Sequence, residues 1–318
     1  GDVPLGTQGN LFGITGGEGT GKSNYVAAIV AGCICPAGAE VDTLGVQITA
    51  NGRHKAVLLY DTEQSEVQLF KNVSNLLARA KQPDKPDELK AFCLTGMSRK
   101  ERLNAIVQSM DKFYYQYGGI QLVVIDGIAD LVKSANDEAE SVAVIDELYR
   151  LAGIYNTCIL CVLHFVPNGL KLRGHLGSEL QRKAATILSI EKDDEPAQSV
   201  VKALKVRDGS PLDVPLMLFA WDKEAGMHVY KGEKPREEKE KRKERELVNV
   251  AHDIFGRQTR ITYIDLCEQL QQVLDIKERT AKSYIRFMRE RDIITKDTAN
   301  QSCFVIGSYH LQRNASCP

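Results

Sequence analysis

The chain has 318 residues, of which 43% are hydrophobic and 26% charged, which is ordinary globular composition and excludes a disordered or fibrous protein. This length predicts two domains. The longest apolar stretches, residues 120–125 and 158–165, are too short to span a bilayer, and no charged-then-apolar leader opens the chain, so we expect a cytoplasmic protein without membrane contact. Residues 234–318 carry 17 Lys and Arg against 13 Asp and Glu, whereas the rest of the chain has 24 against 29. Contact with a polyanion is therefore expected at the C-terminal end.

The cysteines are too sparse for a disulfide scaffold, since there are eight in the whole chain. Cys158 and Cys161 have the spacing of a metal or redox pair. In an extended strand, however, residues three apart point to opposite faces, and no second pair follows at zinc spacing. We predict reduced, buried thiols.

Residues 1–232 alternate short apolar runs with amphipathic segments, which predicts an α/β domain with a mostly parallel sheet. Strands are predicted at 11–15, 56–61, 89–94, 120–125 and 159–163. Helices are predicted at 21–33, 67–80, 99–117 and 142–155. Three further strands, at 185–190, 199–206 and 216–221, are separated only by turns, which predicts an antiparallel extension of the sheet.

A complete G-x-x-x-x-G-K-S pattern lies between the first predicted strand and the first predicted helix. Its glycines let the loop fold so tightly that successive backbone N–H groups point at one phosphate, and the positive end of the helix adds to that field. In such a loop Lys22 reaches the β and γ phosphates, and the Ser23 hydroxyl ligates Mg²⁺. The predicted residues for binding ATP are Gly16, Gly17, Glu18, Gly19, Thr20, Gly21, Lys22 and Ser23.

Polar side chains end three other predicted strands. Asp126 follows the apolar run 122–125, the position from which a carboxylate meets Mg²⁺ at the carboxyl edge of the sheet. Glu63 is our candidate for the base that orients and deprotonates the attacking water, since Asp61 can still lie within its strand. His164 could hydrogen-bond the γ-phosphate. The alternatives are a solvated turn acid for Glu63 and a core or surface histidine for His164.

These features, in this order, resemble the RecA-fold ATPases, and within them the hexameric replicative helicases of the DnaB type and the plasmid RepA type. The resemblance covers about residues 5–232. It implies that strand 158–164 lies between the P-loop strand and the strand that ends in Asp126. A histidine at position 164 favours the RepA type, because DnaB-type enzymes usually carry glutamine there.

Two more stretches are similar to this family. Lys205 and Arg207 match its K-x-R-x-G segment, which implies that both reach the γ-phosphate of a neighbouring subunit in a homo-oligomer, a hexameric ring in that family. A hairpin turn with two charges is the alternative. The loop 166–175 contains Lys171 and Arg173, and the resemblance implies that it faces single-stranded DNA in the channel of the ring.

Residues 233–246 form a charged connecting helix in our prediction, because both charge signs are interspersed. In the C-terminal domain, residues 247–318, the sequence pattern predicts three helices, at 247–255, 263–274 and 278–291, and a hairpin of 293–296 with 303–306. This arrangement resembles a winged helix-turn-helix, whose third helix enters the major groove of duplex DNA. Its basic side chains, which would meet phosphates, are Arg279, Lys282, Arg286 and Arg289. A domain that docks protein partners is the alternative.

Together these patterns predict a Mg²⁺-dependent ATPase that assembles on DNA, most like the replicative helicase of a plasmid or mobile element. The second hypothesis is an ATP-gated DNA-binding module for replication control, partition or mobilisation that does not unwind DNA. A small-molecule P-loop kinase fits poorly, because the sequence shows no arginine-rich substrate lid.

Overall fold

A computed structural model describes residues 3–164, 174–193, 197–235, 237–256, 258–298 and 300–307. The chain divides into two compact units, Gly1–Lys234 and Pro235–Pro318. Among the described residues, no helix combines the length and the apolar composition that a membrane span requires.

The first unit is built on a nine-stranded sheet. In chain order its strands are β1 Leu11–Gly16, β2 Ala56–Asp61, β3 Leu89–Cys93, β4 Ile120–Asp126, β5 Cys158–His164, β6 Thr186–Lys192, β7 Gln198–Val206, β8 Leu216–Asp222 and β9 Met227–Lys234. They are ordered β3-β2-β4-β5-β1-β6-β7-β8-β9, with β1 to β6 parallel and β6 to β9 joined as antiparallel neighbours. The α/β class is therefore confirmed, and so is the antiparallel extension. The sequence did not predict β9, because this strand is only half-buried and has no apolar run.

The helices described in this unit cover both faces of the sheet: α1 Lys22–Ile34, α2 Glu66–Arg79, α3 Arg99–Tyr117, α4 Glu138–Ile154 and α5 Gly174–Lys183. Helices α1 and α2 pack on one face, and α3, α4 and α5 on the other. Strands covered on both faces are apolar throughout rather than alternating, which explains the continuous runs in the sequence. Nearby residues also determine where two of these helices begin: Ser98 and Glu101 form a capping box at α3, and Asp137 caps α4.

Strand order decides which side chains meet at the carboxyl edge of the sheet. Strand β5 lies between β1 and β4, as the resemblance implied. In the parallel register Gly16 lies opposite His164, and Asp61 lies opposite Asp126. Four strand ends that are far apart in sequence therefore reach one edge.

The second unit combines helices with a small sheet. Its described elements are α6 Glu237–Phe255, β10 Ile261–Thr262, α7 Tyr263–Leu274, α8 Glu278–Glu290, β11 Ile294–Lys296 and β12 Cys303–Ile306, and the strand order is β10-β12-β11. The charged connecting helix, predicted at 233–246, begins only at Glu237, because residues 233 and 234 end β9. It forms one element with the first predicted domain helix, since α6 runs through residue 247 without a Pro or Gly to interrupt it. Strand β10 is only two residues long and gave no sequence signal. One face of α8 is apolar and buried, with Ala281, Ile285 and Met288 in the core of this unit.

Candidate functional site

The G-x-x-x-x-G-K-S segment joins the end of β1 to the first turn of α1. Gly21 precedes the helix with a φ of +93°, a left-handed conformation that favours glycine. A Cβ on Gly21 would lie 2.8 Å from Cε2 of Phe219, and a Cβ on Gly16 would lie 2.3 Å from the carbonyl oxygen of Ile190. Residues of β6 and β8 therefore leave no room for a side chain at either end of the loop.

The ammonium of Lys22 lies inside this loop. Its Nζ donates to the carbonyl oxygens of Gly16 at 3.1 Å and Gly17 at 2.6 Å. Burial lowers the pKa of Lys22, while the carboxylates of Asp126 and Glu63 act in the opposite direction. The two carbonyl dipoles compensate only part of the positive charge of this half-buried ammonium. A phosphate bound in the loop would supply a full negative charge as its partner.

Asp61 organises the turn that follows β2. Its side chain is buried, and Oδ1 accepts hydrogen bonds from the backbone N–H of Glu63 at 3.0 Å and of Gln64 at 2.8 Å. Burial raises the pKa of Asp61, in spite of these two hydrogen bonds. Asp61 is the last residue of β2, as we expected, so it shapes the turn and leaves the Glu63 carboxylate as the acid that is open to solvent.

Thr62 and Gly127, which sequence reasoning missed, fasten this turn to the end of β4. The Thr62 hydroxyl donates to the carbonyl oxygens of Asp126 at 3.0 Å and Gly127 at 2.8 Å. Gly127 has a φ of +98°, and a Cβ there would lie 2.6 Å from Cγ of Glu63. The one sequence signal for this contact was the glycine directly after Asp126, because a residue without a side chain leaves the space that Glu63 fills.

Glu63 and His164 are in direct contact. Oε2 of Glu63 lies 3.2 Å from Nε2 of His164, which ends β5 next to Gly16. The candidate base and the candidate γ-phosphate contact are thus paired with each other at the mouth of the loop.

Ser23, Asp61 and Asp126 line one small pocket between α1, α2 and the ends of β2 and β4. Burial, with the charges of Asp61 and Glu63, raises the pKa of Asp126 to about 7. Three acids that crowd one another in this way would be relieved by a bound cation, and a hydroxyl with a carboxylate is an oxygen donor set suited to Mg²⁺. The residues present therefore fit the magnesium ion that the P-loop implies.

Asp126→Asn is expected to stabilise the protein in the absence of magnesium. The carboxyl of Asp126 ionises near pH 4 in the unfolded chain and near pH 7 in the folded chain. Asp126 therefore lowers the free energy of unfolding by an amount that increases between pH 4 and pH 7 and is constant above pH 7. Because Asp126 is partly exposed, we expect a gain on the order of 2 kcal/mol at pH 8 and almost none at pH 4. Urea unfolding at both pH values measures it, with the exposed Asp84→Asn as control. A gain that is equal at both pH values would contradict this electrostatic origin.

Lys205 and Arg207 lie away from the P-loop of their own chain. Nζ of Lys205 donates to the carbonyl oxygens of Gln181 and Arg182 at 2.6 and 3.0 Å, and Arg207 donates to Lys183 at 3.1 Å. These are the last carbonyls of α5, where the negative end of a helix favours cations. Val206, which lies between them, pairs with Thr186 at the start of β6, and Thr186 pairs in turn with Phe12 near the start of β1. Both cations therefore lie toward the amino edge of the sheet.

The predicted nucleic-acid contacts divide into two sets. Lys171 and Arg173 lie outside the described residues. The four basic residues of α8 are exposed and lie outside its buried stripe: Arg279, Lys282, Arg286 and Arg289. Two of them pair along the helix, Lys282 with Glu278 at 2.7 Å and Arg286 with Glu290 at 2.8 Å.

The thiols of Cys158 and Cys161 are both free and buried, as predicted. Burial raises the pKa of Cys158 to about 12, so this thiol is inert at neutral pH.

An aromatic series near the loop was not predicted. Phe219 of β8 packs against Gly21, and its ring lies 5.7 Å from that of His228, which lies 5.5 Å from the ring of Trp221. Trp221 is the only tryptophan of the chain and is 53% exposed. Phe219 and Trp221 are two residues apart on a predicted strand and so face the same side, a signal that sequence reasoning could have used.

A family model described as an AAA domain matches residues 4–168. No curated protein matches the chain. The matched residues include the P-loop, the turn with Glu63, Asp126 and His164, and they make up more than half of the chain. The chain therefore belongs to the AAA domain family of P-loop nucleotide-binding proteins.

Proposed function

We propose that this protein is a Mg²⁺-dependent ATPase that assembles on DNA as a ring or filament, most like a plasmid- or mobile-element-type replicative helicase. The observation that carries the ATPase is the meeting of Lys22, Glu63 and Asp126 at one sheet edge. Each lies at or after the carboxyl end of a different strand, and together they supply what phosphoryl transfer to water needs: a cation, a base and a metal ligand.

In the proposed reaction Lys22 and the loop amides bind the β and γ phosphates. Ser23 and Asp126 would hold Mg²⁺, which neutralises phosphate charge when it is bound. Glu63 orients a water molecule and accepts its proton as the water oxygen attacks the γ-phosphorus. The bond between this phosphorus and the β–γ bridging oxygen breaks, and ADP and inorganic phosphate leave. His164 would donate to the γ-phosphate when this group is present, which releases Glu63 from their 3.2 Å contact, and would return to Glu63 when phosphate leaves.

Lys205 and Arg207 would complete the site of a neighbouring copy. In this structure both side chains donate hydrogen bonds to carbonyl oxygens at the end of α5, which are uncharged acceptors. A γ-phosphate in the next subunit is a stronger, charged acceptor. The proposed role of these two cations in trans is supported by their place at the far edge of the sheet.

Contact with DNA is proposed at the exposed basic face of α8 and, from the family resemblance, at Lys171 and Arg173. The ion pairs that Lys282 and Arg286 form with acids one turn away are solvent-exposed, and pairs of this kind contribute little to stability. A DNA phosphate can displace such acids, and release of its counterions would favour binding at low salt.

The decisive experiment is the ATPase rate with and without single-stranded DNA across protein concentration. We expect the rate per chain to rise with protein concentration, since the active site needs two copies, and to rise again with DNA. A rate per chain that depends on neither variable would contradict the proposal.

An ATP-gated DNA-binding switch is the second candidate. It is favoured by α8, whose basic face belongs to a unit with its own hydrophobic core. Strand displacement on a forked duplex separates the two functions, because a switch would bind the fork and hydrolyse ATP slowly without displacing a strand.

Trp221 is proposed as the platform for the nucleotide base. Burial lowers the pKa of His228, so its imidazole is neutral and packs edge-on against the indole. The exposed part of Trp221 lies on the same strand face as Phe219, which contacts the loop at Gly21. Stacking of a base on an aromatic ring contributes about 1–3 kcal/mol.

Trp221→Ala is accordingly expected to raise the KM for ATP about tenfold and to change kcat little. The reason is that stacking stabilises the bound substrate and the transition state equally. Trp221→Phe should keep most of the affinity. In the unaltered protein, ATP and ADP should change the fluorescence of this single tryptophan, whereas inorganic tripolyphosphate, which lacks a base, should not. An equal response to tripolyphosphate, or an unchanged KM in Trp221→Ala, would exclude base stacking at this residue.

A further inference from the structure

Helix α2 carries two large apolar side chains in solvent. Val67 is 66% exposed and Phe70 is 73% exposed, while Leu69 and Leu76 of the same helix are buried against the sheet. Residues three apart on a helix are neighbours, so Val67 and Phe70 form one continuous apolar surface. Helix α2 begins three residues after Glu63, so this surface lies in the first turns of the helix that follows the candidate base.

A third exposed apolar side chain follows Arg207. Leu212 is 71% exposed and lies in the loop between β7 and β8. The loop is ordered by its own polar groups: the N–H of Ser210 donates to Asp213 at 2.8 Å, and the N–H of Leu212 donates to the Ser210 hydroxyl at 3.1 Å. Leu212 is therefore presented to solvent by a held backbone, which lowers the entropy cost of burying it against a partner.

The two apolar features flank the two halves of the proposed shared site. For Arg207 of one copy to reach a γ-phosphate beside Glu63 of another, the loop with Leu212 must approach the start of α2. The α2 side carries Glu63, Glu66 and Lys71, and the loop side carries Lys205, Arg207, Asp208 and Asp213. The two acids that precede Val67 are thus opposite in charge to the two cations of the K-x-R segment. Such complementarity steers association and fixes its register.

We propose that Val67 and Phe70 form the seat for Leu212 of a second copy of this chain. The contact joins two different surfaces, so each copy offers a seat on one side and a Leu212 loop on the other, and repetition generates a ring or a filament. This inference rests on the proposed function, because it takes the active site to be shared between copies. It adds the apolar contact that would hold the shared site closed.

The test uses the full chain with opposite charges placed across the contact. Phe70→Asp and Leu212→Lys should each raise the protein concentration for half-maximal ATPase about tenfold, as loss of a central apolar anchor does. The chain with both substitutions should return to within about threefold of the unaltered protein, since the new charges face each other across copies. Light scattering with ATP should show the same order of assembly.

Tyr115→Asp is the matched control, because Tyr115 is an equally exposed large side chain on α3 and lies outside both features. Thermal unfolding should be the same for all variants. The proposed contact is wrong if both single variants assemble like the unaltered protein, as they would if another protein occupies α2. It is also wrong if the double variant assembles no better than the single variant that assembles least. If instead the unaltered protein hydrolyses ATP at a rate per chain that is independent of concentration, the shared site itself fails.

Discussion

Lys22→Ala is expected to reduce kcat/KM for ATP by a factor on the order of 10²–10³. The ammonium is positioned by the carbonyl oxygens of Gly16 and Gly17 and faces the carboxylates of Asp126 and Glu63. It is therefore placed within the loop to follow negative charge as it develops on the γ-phosphoryl oxygens. Steady-state phosphate release at saturating Mg²⁺ measures the effect.

Lys100→Ala provides the control, since Lys100 is an exposed lysine of α3 far from the loop in sequence. It should leave the rate unchanged. Because the Lys22 side chain also ties two loop carbonyls, thermal unfolding of the variant must be compared with that of the unaltered chain. ATPase activity that survives Lys22→Ala in a folded protein would refute the nucleotide site.

Arg207→Ala is expected to lower kcat by about a thousandfold, the lower end of what an arginine supplied to a γ-phosphate contributes. The more informative result comes from mixing this variant with Lys22→Ala. A site formed by the P-loop of an Arg207→Ala chain and the cations of a Lys22→Ala chain contains both residues, so random assembly should restore about a quarter of the sites. Neither variant should recover activity alone.

Arg150→Ala controls for the removal of a surface guanidinium, because Arg150 pairs locally with Glu147 at 2.7 Å on α4. If Arg207 acted within its own chain, mixing would restore nothing. If it only capped α5 through the Lys183 carbonyl, its removal would lower thermal stability and leave kcat nearly unchanged. The three measurements therefore separate a role in trans, a role in cis and a structural role.

The elements of the first unit were largely readable from sequence because their signals are local. The P-loop is a contiguous motif, and strands such as β4 and β5 are apolar runs that only a sheet covered on both faces explains. The acids at strand ends could be expected to share an edge, since parallel strands bring their carboxyl ends together. Strand β9 and the continuation of α6 through residue 247 escaped, because a half-buried strand and an uninterrupted charged helix give no local boundary signal.

Local sequence patterns were enough to establish the phosphate loop, the α/β class and the residues that end each strand, because these depend on short-range geometry and on periodicity. The folded structure was needed to show that Glu63 pairs with His164, that Gly127 makes room for Glu63, and that Phe219 packs against Gly21. It also decided that Arg207 lies away from its own P-loop. Each of these is a contact between residues far apart in the chain, and such contacts follow from the order in which the strands pair, which no local pattern encodes.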